Sequence, residues 1–534
     1  MEKIIIKKPR LRWLLGGVGF HNNEATMYKI MNEKFKNEGV LKTFNEISPT
    51  FSRVFAGYAE WSKSAMEAFA EYYDLTFRKA GTVLYLVPGR MPFPDEHFDI
   101  YGYCDKVAKN LAYLINEKKL TKIRYYCVTN ELSCGNSCAY LSRNLELFKK
   151  LHTELYYAFK RHNVDVGLLA TDCSELSNLH QIRWAAENID EITDAYCAHT
   201  YVRGYTTEDT DMHDFYYDVY ERLVKIALRR EKRFILGEYG IKAPDKQNEV
   251  MSNDVYYGVD IPESENMAPL SVAEVSIAAI NAGCLATVYW SMFDYPDPFL
   301  KENGDTEEEK ARYDAARFSG HGVSIRYNKN GLLKWCDDEN DYSSRAMLYV
   351  MGYFAKFFKK NSRVLKIEKS DSLIRCAAVT NSDGSVSVIA VNRHGEDTEI
   401  CFDFEQAIGQ KSDKPFREYV YEADNVPYNE FNDLQDFSSL VKPENGVCRI
   451  KMRKNSVVFL TTDYKDRNPS EISGTEFDNG TLKWNVCKDG EHCYYRVYRD
   501  GKQIASTVAN EFKTEKDGEF EVYSVDKYGN CLKK

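Results

Sequence analysis

Two glutamates in this sequence stand directly after apolar runs, where a carboxylate could do chemistry. One run reads Tyr125-Tyr126-Cys127-Val128-Thr129-Asn130-Glu131, the other Phe234-Ile235-Leu236-Gly237-Glu238. A carboxylate carried to the end of an apolar strand is partly desolvated, which is costly unless the charge is paired or used. One such Glu is equally well explained by a salt bridge to a neighbouring strand end. Two of them suit the cleavage of a glycosidic bond. One carboxyl protonates the departing oxygen and the other meets the developing oxocarbenium ion. A separation of about 5–5.5 Å allows a covalent intermediate and retention, whereas about 6.5–9.5 Å leaves room for a water and gives inversion. The distance is not legible in the sequence.

The elements that would have to position this pair are eight short apolar runs in the first 300 residues. They are Trp13–Phe20, Phe51–Tyr58, Gly81–Val87, Lys122–Asn130, Val164–Thr171, Ala195–Tyr201, Arg233–Gly240 and Ala286–Phe293, with starts about 30–50 residues apart. They are continuously apolar rather than alternating, as strands buried on both faces should be. Between them, Ser64–Ala80, Ile100–Lys118, Ser142–His162, Asp214–Arg230 and Ser271–Asn281 carry apolar residues at helical spacing, and Arg345–Phe358 follows as a last helix. Eight such units in order predict a (β/α)₈ barrel, with a doubly wound open sheet as the alternative. In a barrel the working residues lie at the C-terminal ends of the strands. Glu131 then ends the fourth strand and Glu238 the seventh, on opposite sides of one pocket.

Other strand ends supply further candidates. Arg53 ends the second, His199 and Tyr201 the sixth, and Trp290 lies in the eighth. His21 and Asn22 follow the first strand, Tyr58 and Trp61 the second, Arg90 the third and Asp172 the fifth. Asp294 follows the eighth, with Asp297 in its loop. A hydroxyl-rich ligand calls for such charged and polar contacts together with an aromatic face. The Gly16-Gly17-x-Gly19 turn lacks the third glycine of a dinucleotide fingerprint and reads as a bend in the first strand.

At these positions the sequence resembles clan A of the glycoside hydrolases, the retaining barrels whose acid/base follows the fourth strand and whose nucleophile follows the seventh. Asn130-Glu131 and Glu238 match that pattern. The resemblance implies Glu131 as acid/base, Glu238 as nucleophile and Asn130 as a ligand of the sugar 2-hydroxyl. It implies Arg53 and Tyr201 beside the nucleophile, His199 in the clan's His/Tyr pair, and Trp290 as the floor of the −1 subsite. It covers residues 10–360, roughly, and extends to families with a β-domain beside the barrel: β-xylosidase/α-iduronidase, glucosylceramidase-like and arabinofuranosidase families. On this basis the expected activity is double displacement on oligosaccharides or glycans. The long sixth and seventh loops could close a pocket or equally wall a cleft, and exo action is favoured because a chain without a signal segment suits imported oligosaccharides. An endo-acting glycanase and a non-catalytic carbohydrate-binding barrel are the alternatives.

From about Val364 the texture changes. Leu373–Thr380, Ser385–Asn392, Thr398–Phe404, Gly446–Met452 and Ser456–Thr461 are short alternating segments split by turns, which predicts an antiparallel β-sandwich, joined by the opening Ile4–Lys7 segment. Beyond Asp466-Arg467-Asn468-Pro469, an Asp500-Gly501 hairpin signal and further short strands predict a small fibronectin type III-like or Ig-like module. The expected division is 1–360, 361–465 and 466–534.

A net charge of −10 offers no footprint for nucleic acid or an anionic membrane. The apolar run at the N-terminus is three residues long, too short for a signal-peptide core, so a cytoplasmic location is expected. Most of the 14 cysteines sit singly in apolar runs, as buried free thiols would, although Cys487 and Cys493 are near enough for a local bridge. Cys134 and Cys138 have no matching second pair, so neither a metal nor another cofactor is expected. Carbohydrate is the expected partner, and nothing in the sequence points to an oligomer.

Overall fold

In the computed structural model, residues 2–532 are described apart from 10–13, 23, 89–96, 134–139, 142, 175, 177–178, 204–211, 243–261, 297–326, 329–330, 336–339, 370–372, 405–406 and 408–413. Eight parallel strands close into a barrel. They are β1 (Gly17–His21), β2 (Phe51–Phe55), β3 (Val83–Val87), β4 (Ile123–Cys127), β5 (Gly167–Cys173), β6 (Ala195–Arg203), β7 (Arg233–Lys242) and β8 (Ala286–Tyr289). Each lies within or overlaps one of the eight apolar runs, and the open sheet is excluded. Phe51, Tyr85, Cys127, Leu169, Cys197, Ile235 and Val288 point inward and fill the barrel. The opposite faces pack on the helices, so no strand alternates cleanly between water and core.

The glycine-rich start of β1 has a steric cause. A Cβ at Gly19 would lie 1.8 Å from the Phe51 carbonyl oxygen, so only glycine lets β1 approach β2 this closely.

The outer ring contains α1 (Leu41–Ile47), α2 (Lys63–Leu75), α3 (Ile100–Ala112), α4 (Leu145–Arg161), α5 (His180–Asn188), α6 (Met212–Leu228), α7 (Pro262–Ala282) and α8 (Tyr353–Phe357). Ser62, Asp99 and Asn144 cap α2, α3 and α4, each accepting a backbone N–H from the first turn. Helices α1 and α5 are absent from the periodicity reading. A π-helical turn, Phe35–Val40, leads into α1, and α1 buries a lysine and a glutamate, so its pattern is not amphipathic. Helix α5 is only nine residues long.

Beside the barrel lies a sandwich. Its four-stranded sheet runs 366–369, 2–7, 398–403, 447–452, so the opening strand is built into it. Its six-stranded sheet runs 363–364, 374–380, 386–392, 456–461, 416–422, 439–441. Alternate residues of the 386–392 strand serve two cores: Val388 and Ala390 face the sandwich interior, Ile389 and Val391 the barrel helices. This docks the sandwich onto the barrel through apolar surface.

The C-terminal residues form two three-stranded antiparallel sheets around Leu482, Trp484, Tyr495 and Val497. The turn at Asp500 and Gly501 has φ of 50° and 75°, as the Asp-Gly hairpin signal requires. A buried charge cluster ties this part to the rest. Lys42 of α1 lies 2.8 Å from both Glu46 and Asp433, and Arg496 lies 3.1 Å from Asp433. Cys487 and Cys493 are both free thiols, so no bridge links them; Cys134 and Cys138 lie outside the described residues. Among the described residues no helix is long and apolar enough to cross a membrane.

Candidate active site

Register and two bulges bring the polar strand ends together. His21 pairs with Arg53 across β1 and β2, and His199 with Glu238 across β6 and β7. In β5, Thr171 pairs with Cys197 and Cys173 with Ala198, which leaves Asp172 as an extra residue with φ of 54°. In β7, Leu236 pairs with Ala198 and Glu238 with His199, which leaves Gly237 over. Bulges of this kind re-aim side chains beside functional sites. A Cβ at Gly237 would lie 3.1 Å from Asp172 Oδ1 and 3.3 Å from the Tyr85 ring, so glycine keeps that space open. Glu131 follows β4 with φ of 52°. Left-handed backbone at two non-glycine acids costs about 1–3 kcal/mol each and tends to cluster at working sites.

Arg53, fully buried, is the hub. One terminal nitrogen donates to Glu238 Oε2 at 2.6 Å and lies 3.0 Å from His21 Nδ1. The other donates to Asn130 Oδ1 at 2.5 Å and to Asp172 Oδ2 at 3.0 Å. Tyr201 donates its hydroxyl to Glu238 Oε1, so both oxygens of that carboxylate are held. His199 Nε2 lies 2.8 Å from Asp172 Oδ1, and Tyr85 donates to the same oxygen. His199 Nδ1 faces both glutamates, 3.3 Å from Glu131 Oε1 and 3.7 Å from Glu238 Oε2. An oxygen of Glu131, an oxygen of Glu238 and a ring nitrogen of His199 all lie within 4.8 Å of one another. His21 packs between Phe55 and Trp290, at 4.3 and 4.4 Å between ring centroids, and forms an aromatic wall beside Arg53.

Several solved structures share this architecture. A family 30 subfamily 8 xylanase from Clostridium acetobutylicum matches with a TM-score of 0.53 at 13% identity, over 86% of this chain and 99% of that one. An α-L-arabinofuranosidase from Thermotoga maritima matches at 0.57 and 10% identity, over 86% and 100%. SrfJ from Salmonella typhimurium matches at 0.54 and 12% identity, over 87% and 93%. This chain shares their fold. No protein-family model and no curated protein matches its sequence.

The electrostatics follow from burial and pairing. Burial works against the Arg53 charge, yet Tyr85, Asp172 and Glu238 hold its pKa well above the ordinary value. Burial pushes the Asp172 carboxyl up, but His199 and Arg53 more than reverse this and hold it below the usual carboxylate range. Burial would lower His199, but Asp172 and Glu238 raise it to about 10, so it is an imidazolium at neutral pH. Burial raises the Glu238 carboxyl and Glu131 adds to that push; His199 and Arg53 oppose it but leave the group above its ordinary value.

The Glu131–His199–Glu238 trio has the spacing a cation would need, but its donors do not suit one. A metal ligand needs a neutral imidazole, whereas His199 offers a proton from Nδ1. The Arg53 guanidinium, 2.6 Å from Glu238 Oε2, already supplies the positive charge that a cation would bring there.

Of the strand-end candidates, Glu131, Glu238, Asn130, Arg53, His199, Tyr201, Trp290 and His21 converge here. Trp61 does not join the network through any described contact; it packs on Tyr58 and on Phe69 of α2. Asp294 is bound elsewhere. Arg345 approaches it at 2.6 Å and the Gly331 N–H donates to it at 2.8 Å, so it anchors the chain after the barrel. Asn22 is buried, with its side-chain nitrogen 3.2 Å from Met292 sulfur. Arg90 and Asp297 lie outside the described residues. Asp172 proves central rather than peripheral. Tyr85 was not foreseen; its one signal is a hydroxyl in the middle of an otherwise aliphatic inward-facing strand.

Proposed function

We propose that this chain is a retaining glycoside hydrolase with Glu238 as nucleophile and Glu131 as acid/base. The observation that carries the reading is the short separation of two carboxylates held in unlike surroundings. One oxygen of each lies within 4.8 Å of the other, which supports the covalent class over inversion, where the carboxyl groups stand about 6.5–9.5 Å apart. Glu238 accepts from Arg53 and Tyr201 and is nearly inaccessible, as befits a carboxylate kept ionised to attack carbon. The Glu131 side chain is 22% exposed and faces His199, with access to a leaving group and to water.

In the first step a Glu238 oxygen bonds to the anomeric carbon as the glycosidic C–O bond breaks. The leaving oxygen takes the Glu131 proton. In the second, Glu131 removes a proton from water, water bonds to the anomeric carbon, and the Glu238–carbon bond breaks. In this reading Asn130, fixed by Arg53, holds the sugar 2-hydroxyl, and Trp290, backed by the buried His21, meets the ring. The xylanase and arabinofuranosidase relatives in fold favour pentose-containing glycosides as first substrates. Exo action is the form we carry forward. It rests on the sixth and seventh loops, which are long enough in the sequence to close a pocket.

A screen of nitrophenyl glycosides, pentosides first, followed by proton NMR of the first-formed sugar, tests this. Net retention supports the mechanism; inversion or binding without turnover contradicts it. Glu131→Ala should keep turnover of substrates with good leaving groups and be rescued by azide.

A further inference from the structure

We propose that Asp172 is a positioning residue whose carboxylate keeps His199 an imidazolium between the two glutamates, so that the catalytic pair works against two fixed cations. This rests on the reading of Glu131 and Glu238 given above.

The geometry is specific. Asp172 touches neither glutamate in any described contact. Its donors are Tyr85, His199 Nε2 and Arg53, from β3, β6 and β2, with the Cys197 thiol also against it, and it is itself fully buried. Such a carboxylate can act on the reaction only through those donors. His199 passes its influence on, because its other nitrogen faces Glu131 and Glu238. The titratable and charged groups around His199 are Asp172 from β5, Glu131 after β4, Glu238 from β7 and Arg53 from β2. Tyr85 lies behind Asp172, and Tyr201 and Cys197 lie on the histidine's own strand.

Charge counting shows what Asp172 supplies. Arg53 and His199 carry two positive charges, Asp172 and Glu238 two negative. The set is neutral when Glu131 holds its proton, which is the state the first step needs. Once Glu238 is esterified by the sugar its charge is gone, and an ionised Glu131 restores neutrality for the second step. Without Asp172, a buried His199 loses its nearest anion, and burial then works against the charge with only Glu131 and Glu238 to oppose it.

The test is a pH titration of the histidine imidazoles by ¹H–¹⁵N NMR on the full chain, with the His199 signal assigned by its loss in His199→Asn. In the wild type, His199 should remain an imidazolium to above pH 9. In Asp172→Asn its titration should move down by at least one unit, and the kcat/KM profile should gain a dependence on that ionisation. Tyr85→Phe removes a hydrogen bond but no charge, and should keep the imidazolium. Titration of wild-type His199 near neutrality, an unchanged imidazolium in Asp172→Asn, or its loss in Tyr85→Phe would each overturn the proposal. The spectra need no substrate, so they fail or succeed independently of whether the chain cleaves glycosides.

Discussion

Replacing Tyr201 by phenylalanine should move the acidic limb of the pH–rate profile upward by about 1–2 units. Tyr201 donates its hydroxyl to Glu238 Oε1, while Arg53 holds Oε2. A hydrogen bond to an ionised group contributes about 1.5–3 kcal/mol, and one pKa unit corresponds to about 1.36 kcal/mol. The bond stabilises the charged carboxylate, so it lowers the Glu238 pKa, and its loss raises it. More of the nucleophile is then protonated at low pH, and activity is lost there first. The assay is kcat/KM against pH on an aryl glycoside, because that ratio reports ionisations of the free enzyme. An acidic limb that stays in place, or moves down, would refute the assignment of Tyr201 to an ionised Glu238.

Stability should depend on pH at both ends. His199 is raised to about 10, so its contribution is complete below about 6.5 and lost as pH rises through 10; urea midpoints should fall over that window. Asp172 is held low, so its contribution is present above about 3.9 and is lost as pH falls below that value. Asp433→Asn leaves Lys42 and Arg496 buried without their shared anion, and should cost about 3–5 kcal/mol in chemical denaturation. Dialysis against EDTA should leave turnover unchanged, since Arg53 already supplies the positive charge beside Glu238.

The barrel was legible because strands buried on both faces are apolar throughout, and the two glutamates because each interrupts such a run at its end. Arg53 and Tyr201 were legible as strand-end residues, although their pairing with Glu238 came from a family resemblance. What escaped depends on backbone irregularity and on long-range partners. Asp172 enters the network through a bulge that adds one residue to β5, and no side-chain pattern announces that shift. Tyr85 is hidden because a tyrosine in a strand is more often filler. Asp294 looked like a pocket acid because its partner, Arg345, lies 51 residues away beyond the eighth strand. Helix α1 was obscured by Lys42 and Glu46, polar residues buried because a connection of the sandwich covers them with Asp433 and the C-terminal sheets with Arg496 and Tyr494.

The central claim is that Glu238 forms a covalent bond to the sugar. Incubation with a 2-deoxy-2-fluoro glycoside of whichever sugar the screen identifies, then digestion and mass spectrometry, tests it directly. One glycosyl adduct on the peptide containing Glu238, absent from Glu238→Gln, is the predicted result. An adduct on another residue, or turnover of that sugar's glycosides with no adduct formed, would contradict it.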